Sequence, residues 1–224
     1  IQSSGICAKC HTLITPIPGS DMGFVEQSIY QEWLNSSYSI EKIRCQDCHM
    51  PTSESPVVIA SGVNGLDPRV PYAEHRLAGG NLFMLRLLRN NLSSLGLKST
   101  YRQLDSAMAY NMQMLKHQSL KIRLLPVESM DDSLVFDVQL TNLSGHKLPS
   151  GYPSRRVFIQ FIAINYLTKD TIFQSGSVDS KGHLIYRDSD FQPHYQEIAN
   201  PSATQIYEMI PGDQFGFPTT ILTA

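Results

Sequence analysis

Two short stretches constrain this chain more than any other feature. "CAKCHTL" places Cys7, Cys10 and His11 in the order CxxCH, and "CQDCHMP" repeats the order with Cys45, Cys48 and His49. A disulfide framework uses paired cysteines but gives no reason for the histidine that follows them. A zinc ribbon takes four thiolates from two CxxC knuckles. It leaves both histidines idle and fits poorly the long gap between the knuckles. Covalent c-type haem attachment uses all three residues of each triplet. The thiols add to the two vinyl groups of one porphyrin, and the next residue sends its imidazole to the iron. The chain has four cysteines, and the two motifs consume them all. The reading is two haem c groups, with zinc and disulfide as alternatives. On that reading the core of this region would include a porphyrin face.

The 224 residues are enough for one large domain or two small ones. Lys and Arg number 18 against 20 Asp and Glu, a net charge of -2 before any haem propionates are counted. Nucleic acid, which demands a basic face, is not an expected partner. No apolar run approaches the length of a membrane span. Haem attachment of this type occurs outside the cytoplasm, which points to a periplasmic, extracellular or cell-surface location. The start at Ile1 and the end at "TTILTA" suggest a processed chain or a piece of a longer one.

Periodicity divides the chain near residue 119. Residues 1–119 read as a dihaem region, mostly helical or loop. Within it "FVEQSIYQEWLNSS" reads as a helix with Ile29, Tyr30, Trp33 and Leu34 on one face. "NLFMLRLLRNN" reads as a helix capped by Asn81 and apolar nearly all round, hence deeply buried. A longer helix runs from about Ser99 to Gln118, with Tyr101, Leu104, Met108, Met112 and Leu115 on one face. From Leu120 the pattern turns to short β-branched and aromatic runs separated by turn clusters such as "MDDS" and "LTKD". Residues 120–224 are therefore expected to form an antiparallel Ig-like β-sandwich, with Val157–Tyr166 as a central strand. The expected fold class is α+β.

His11 and His49 supply one axial ligand to each iron, so two bis-histidine haems need two more from His75, His117, His146, His183 and His194. His75 in "YAEHRLAGGN" precedes paired glycines that let backbone approach a flat ring. His146 in "NLSGHKLPSGYPSRR" sits in a loop that Gly145 and Gly151 flank and Pro149 and Pro153 stiffen. These two are the candidate distal ligands. His194 is a third candidate, His183 follows a turn signal, and His117 lies on a helix flank. Arg155 and Arg156 are candidate partners for a haem propionate, with a solvated strand start as the plain alternative.

With these residues named, the chain resembles a family of multihaem c-type cytochromes that join CxxCH segments to a C-terminal β domain. The likeness lies in "CAKCHTL", "YQEWLNSSY", "CQDCHMP", "HRLAGGN", "TNLSGHKLPSGYPSRR", "PHYQEI" and "QIYE". It implies that His75 and His146 lie at haem sites and that the chain takes part in extracytoplasmic electron transfer. The expected partners are other cytochromes or redox proteins, further haem-bearing chains, or copies of itself. Relatives commonly carry more CxxCH motifs, and some have a ligand histidine where Tyr38 stands here. Two other functions compete with the electron carrier. One is a haem oxidoreductase with an open iron, acting on a small nitrogen or sulfur compound. The other is a structural subunit of a cytochrome assembly.

Overall fold

The computed structural model describes residues 3–130, 133–153, 155–186 and 194–219. The "MDDS" turn falls partly outside them, as does nearly all of "TTILTA". The chain divides into two units. One takes the residues up to Ala8 with Glu32–His146, the other Lys9–Gln31 with the residues from Lys147 onward. The change of period at Leu120 falls inside the first unit.

In the first unit, α1 (Gly5–Ala8) and α4 (Cys45–His49) carry cysteines of the two motifs, and α3 (Ser37–Ile40) precedes α4. A short ladder, β3 (Thr52–Ser53) with β4 (Tyr72–Ala73), follows. Two helices come next, α5 (Leu82–Asn90) and α6 (Tyr101–His117), then the hairpin of β5 (Leu120–Met130) and β6 (Ser133–Asn142). The α6 start is specified locally. Thr100 Oγ1 accepts from Gln103 N–H at 3.3 Å, and Gln103 Oε1 accepts from Thr100 N–H at 2.8 Å, a reciprocal capping box. Asn81 caps α5 as expected, accepting from Met84 N–H at 3.1 Å.

In the second unit, β1 (Leu13–Pro16) pairs with β2 (Gly23–Gln27), β7 (Arg156–Phe158) with β10 (Ile206–Glu208), and β8 (Phe161–Ile164) with β9 (Thr171–Ser175). Helix α2 (Ile29–Leu34) spans the division between the units.

The expected fold class is overturned. Among the described residues the chain is about 22% helical and 25% strand. Among the described residues the strands form five separate two-stranded antiparallel sheets, which is neither an Ig-like sandwich nor a mainly helical haem half. A sandwich needs two broad sheets face to face; here each strand finds one neighbour. The segment Val157–Tyr166, expected as one central strand, divides at Ile159–Gln160 into β7 and β8. At that point the backbone of Gly176 comes so close that a Cβ there would lie 2.2 Å from the Ile159 carbonyl oxygen. Two helix expectations also change. Phe24–Gln27 pair as strand β2, so the aromatic helix shrinks to Ile29–Leu34. No residue of α5 is buried, and Phe83 is 75% exposed. The helix lies against α6, tied by the Arg89–Asp105 ion pair.

The polypeptide buries little of its own apolar surface. Among the described residues Ala78, Leu104 and Ile206, with Pro153, are the buried apolar side chains, and no side chain is fully enclosed. The accessible area is 16318 Å². A folded monomer of 25.1 kDa exposes about 10,000 Å², and two independent domains of half that mass about 12,000 Å². The β5–β6 hairpin shows the excess, with Ile122, Leu124 and Leu134 all exposed. No helix among the described residues is long and apolar enough to cross a membrane.

Candidate haem site around His49 and His146

Helix α4 is five residues long and holds the second motif whole, so Cys45 and Cys48 stand three residues apart on one turn, with His49 next. Its first turn is closed by Asp47. The carboxylate accepts from Arg44 N–H at 2.8 Å and from the Arg44 guanidinium at 2.6 Å, which holds the Asp47 pKa below the usual carboxylate value. The segment before α1 is fastened to the same turn. Cys45 N–H donates to Ser4 Oγ at 3.2 Å, and Gln46 Nε2 donates to the Ser3 carbonyl at 2.8 Å. Cys45 and Cys48 form no disulfide with each other or with Cys7 or Cys10. Desolvation of the Cys48 sulfur, then the Asp47 carboxylate and Cys45, raise the Cys48 thiol pKa.

The chain after α4 turns back along it. Beyond the β3–β4 ladder, Glu74 N–H donates to the Pro51 carbonyl at 2.9 Å and Leu77 N–H to the His49 carbonyl at 2.9 Å. This return carries Ala78 to the imidazole, and His49 Nδ1 donates to the Ala78 carbonyl at 2.8 Å. With its proton committed at Nδ1, the ring presents a lone pair at Nε2, the form a metal ligand takes. A cleft of about 260 Å³ opens beside this point, lined by Cys48, Ala78, Arg76, Tyr110 and Met114 among others.

The His146 ring lies opposite. Its centroid is 6.5 Å from that of His49, and the two planes are 13° apart. A centroid distance of 6.5 Å between near-parallel planes lies within the range of offset ring stacking. A metal–imidazole bond is about 2 Å and the ring radius about 1.1 Å, so one metal ion held between two imidazoles sets their centres about 6 Å apart. The loop that brings His146 there is held from two sides. Asn142, at the end of β6, accepts from Ser144 N–H at 3.0 Å and donates through Nδ2 to the His146 carbonyl at 2.6 Å. Tyr38 lies beneath: its hydroxyl donates to the Leu143 carbonyl at 3.1 Å, and its ring sits where a Cβ on Gly145 would be, 2.2 Å from Cδ2. Gly145 has φ of +67°, so glycine serves both the turn and the close approach.

A zinc ion and a haem ask different things of a protein. Among the described residues no three or more His, Cys, Asp or Glu side chains converge as a metal site. A zinc ribbon requires four converging thiolates. A porphyrin brings four nitrogens of its own and asks the protein for two axial ligands, which matches the pair His49 and His146. These residues fit a haem.

The other candidates are scattered. His11 is exposed just before β1, its carbonyl accepting from Tyr30 N–H at 3.4 Å. Cys7 lies on α1, and Cys10 is exposed beyond it. His75 is exposed on the return segment, its ring edge-on to Tyr72 with centroids 6.3 Å apart. Arg156 is taken by Glu208, its cross-strand neighbour, at 2.6 Å, and Arg155 is exposed. His194 Nδ1 accepts from Gln205 Nε2 at 2.7 Å, while His183 pairs with Asp179 at 3.2 Å and His117 is exposed at the end of α6.

Two positions here escaped the sequence reading, Ala78 and Asn111, while Tyr38 was noted only as standing where some relatives have a ligand histidine. For Asn111 a signal existed, since it is a polar residue three positions after Met108 on the inward face of an otherwise apolar helix stripe. No protein-family model, curated protein or solved structure matches the chain.

Proposed function

We propose that this chain is a c-type cytochrome, or part of a larger one of the multihaem kind it resembles, that carries two covalently attached haems and passes electrons outside the cytoplasm. The observation that carries the reading is the facing pair of imidazoles, 6.5 Å apart and 13° from parallel, one of them inside a CxxCH helix. Haem iron supplies one-electron exchange when bound. The chain's residues do the rest. Cys45 and Cys48 anchor one ring, and Cys7 and Cys10 the other. His49 and His146 would hold the iron of the first. The Ala78 carbonyl holds the His49 tautomer. The exposed apolar side chains offer the rings a hydrophobic surround. With both imidazoles holding the iron, that haem would supply electron transfer rather than substrate chemistry. The partners are other redox proteins.

The test is direct. Acid–acetone treatment of the purified protein should leave the colour on the polypeptide, and intact mass should exceed the sequence mass by two haems. Alkylation of Cys7 or Cys45 as ordinary thiols, or a zinc adduct in place of haem, would overturn the proposal.

A further inference from the structure

The peptide group between Ala78 and Gly79 is engaged at both ends. Its carbonyl accepts the proton of His49 Nδ1 at 2.8 Å. Its N–H donates to Asn111 Oδ1 at 2.7 Å. Asn111 sits in the middle of α6, only 6% exposed, and its own orientation is fixed because Nδ2 donates to the Ala107 carbonyl at 2.7 Å. Ala78 is 4% exposed. Read in order, the Asn111 carbonyl, the 78–79 peptide and the His49 ring form one unbroken hydrogen-bonded line, shielded from water at its centre.

We infer that Asn111 is a positioning residue for His49 that sets the donor strength of this ligand through the 78–79 peptide. In a chain of hydrogen bonds each acceptor polarises the next donor, and low local dielectric strengthens the effect. An acceptor on the Gly79 N–H pushes electron density toward the Ala78 oxygen. A more negative oxygen pulls harder on the Nδ1 proton, and the ring becomes more basic at Nε2. Outer partners of ligating histidines act in this way, on ring orientation and on ligand basicity. A more basic imidazole favours the oxidised iron, so Asn111 holds the potential of this haem down. The inference rests on the haem reading above and adds a residue from a separate helix.

Opposite substitutions test it, read by spectroelectrochemical titration of the whole haem-loaded protein. Asn111→Leu keeps the branched shape but removes the acceptor, and should raise one of the two midpoint potentials while leaving the other in place. Asn111→Asp presents a stronger acceptor to Gly79 N–H and should lower the same potential. Hydrogen exchange at the Gly79 amide should be faster in Asn111→Leu than in the parent. If Asn111→Leu does not load haem, the smaller Asn111→Ala takes its place with the same expected sign. Intact mass is measured first, on the parent. A parent without two haem adducts refutes the haem reading itself. A loaded protein whose potentials are unmoved, or moved the same way by both variants, refutes the role of Asn111.

Discussion

The hydroxyl of Tyr38 and the missing side chain of Gly145 act on the same short loop, and their product is the angle of one imidazole. Tyr38 bonds the Leu143 carbonyl and fills the space beside Gly145, so the loop cannot drop toward α3 without meeting the ring. His146→Ala should therefore give a high-spin signal from about half the haem, together with new carbon monoxide binding, while haem attachment is unchanged. Tyr38→Phe removes a single hydrogen bond worth about 1 kcal/mol and should produce the same signature to a much smaller extent. Optical and paramagnetic resonance spectra of both variants check this; an unchanged low-spin spectrum in His146→Ala removes His146 as a ligand. At this scale much was legible. The glycines flanking His146 announced a loop that meets its neighbours closely, and Gly145 against the Tyr38 ring is such a place. Asn111 and Ala78 were not legible as a relay, because a backbone carbonyl becomes a partner only when the β3–β4 return carries it back to His49.

Among the elements, α6 is the one its own sequence specifies best. The Thr100–Gln103 capping box starts it, and a regular apolar stripe gives it an inward face that includes buried Leu104 and Asn111. Thr100→Ala should cost about 1 kcal/mol, visible as a lower denaturation midpoint with an unchanged slope. The expected helix over Ser99–Gln118 agrees with the observed Tyr101–His117 because caps and periodicity are local properties. Elements whose state depends on a distant partner were read less well. "FVEQ" is compatible with a helix turn, and only pairing with "LITP" makes it a strand. The burial expected of α5 failed for a related reason. An apolar helix predicts that something covers it, but among the described elements α6 is the one that packs closely against it. Strand positions after Leu120 were legible from their alternation, whereas their partners were not. Two-residue periodicity states that a strand has two faces, without fixing how many neighbours it has.

At the scale of the whole molecule, the polypeptide exposes about 4,000 Å² more than even two separate domains of its mass require. Under the proposed function the two rings supply the apolar surface that the chain's own residues do not give one another. A variant with Cys7, Cys10, Cys45 and Cys48 all changed to Ser should bind a hydrophobic dye, digest quickly with protease and melt without a sharp transition, whereas the haem-loaded protein should melt cooperatively. Equal melting curves would show that the chain folds on its own resources. The facing imidazoles described above also have a consequence for chain statistics. His49 and His146 lie about one hundred residues apart in sequence, and a bond through one iron would close that whole span into a loop. In the unfolded chain, a permanent cross-link of that length removes freedom worth about 5 kcal/mol. An iron held by both rings is thus a staple as well as an electron site, and letting go of His146 would relax α4, both long helices and the β5–β6 hairpin together.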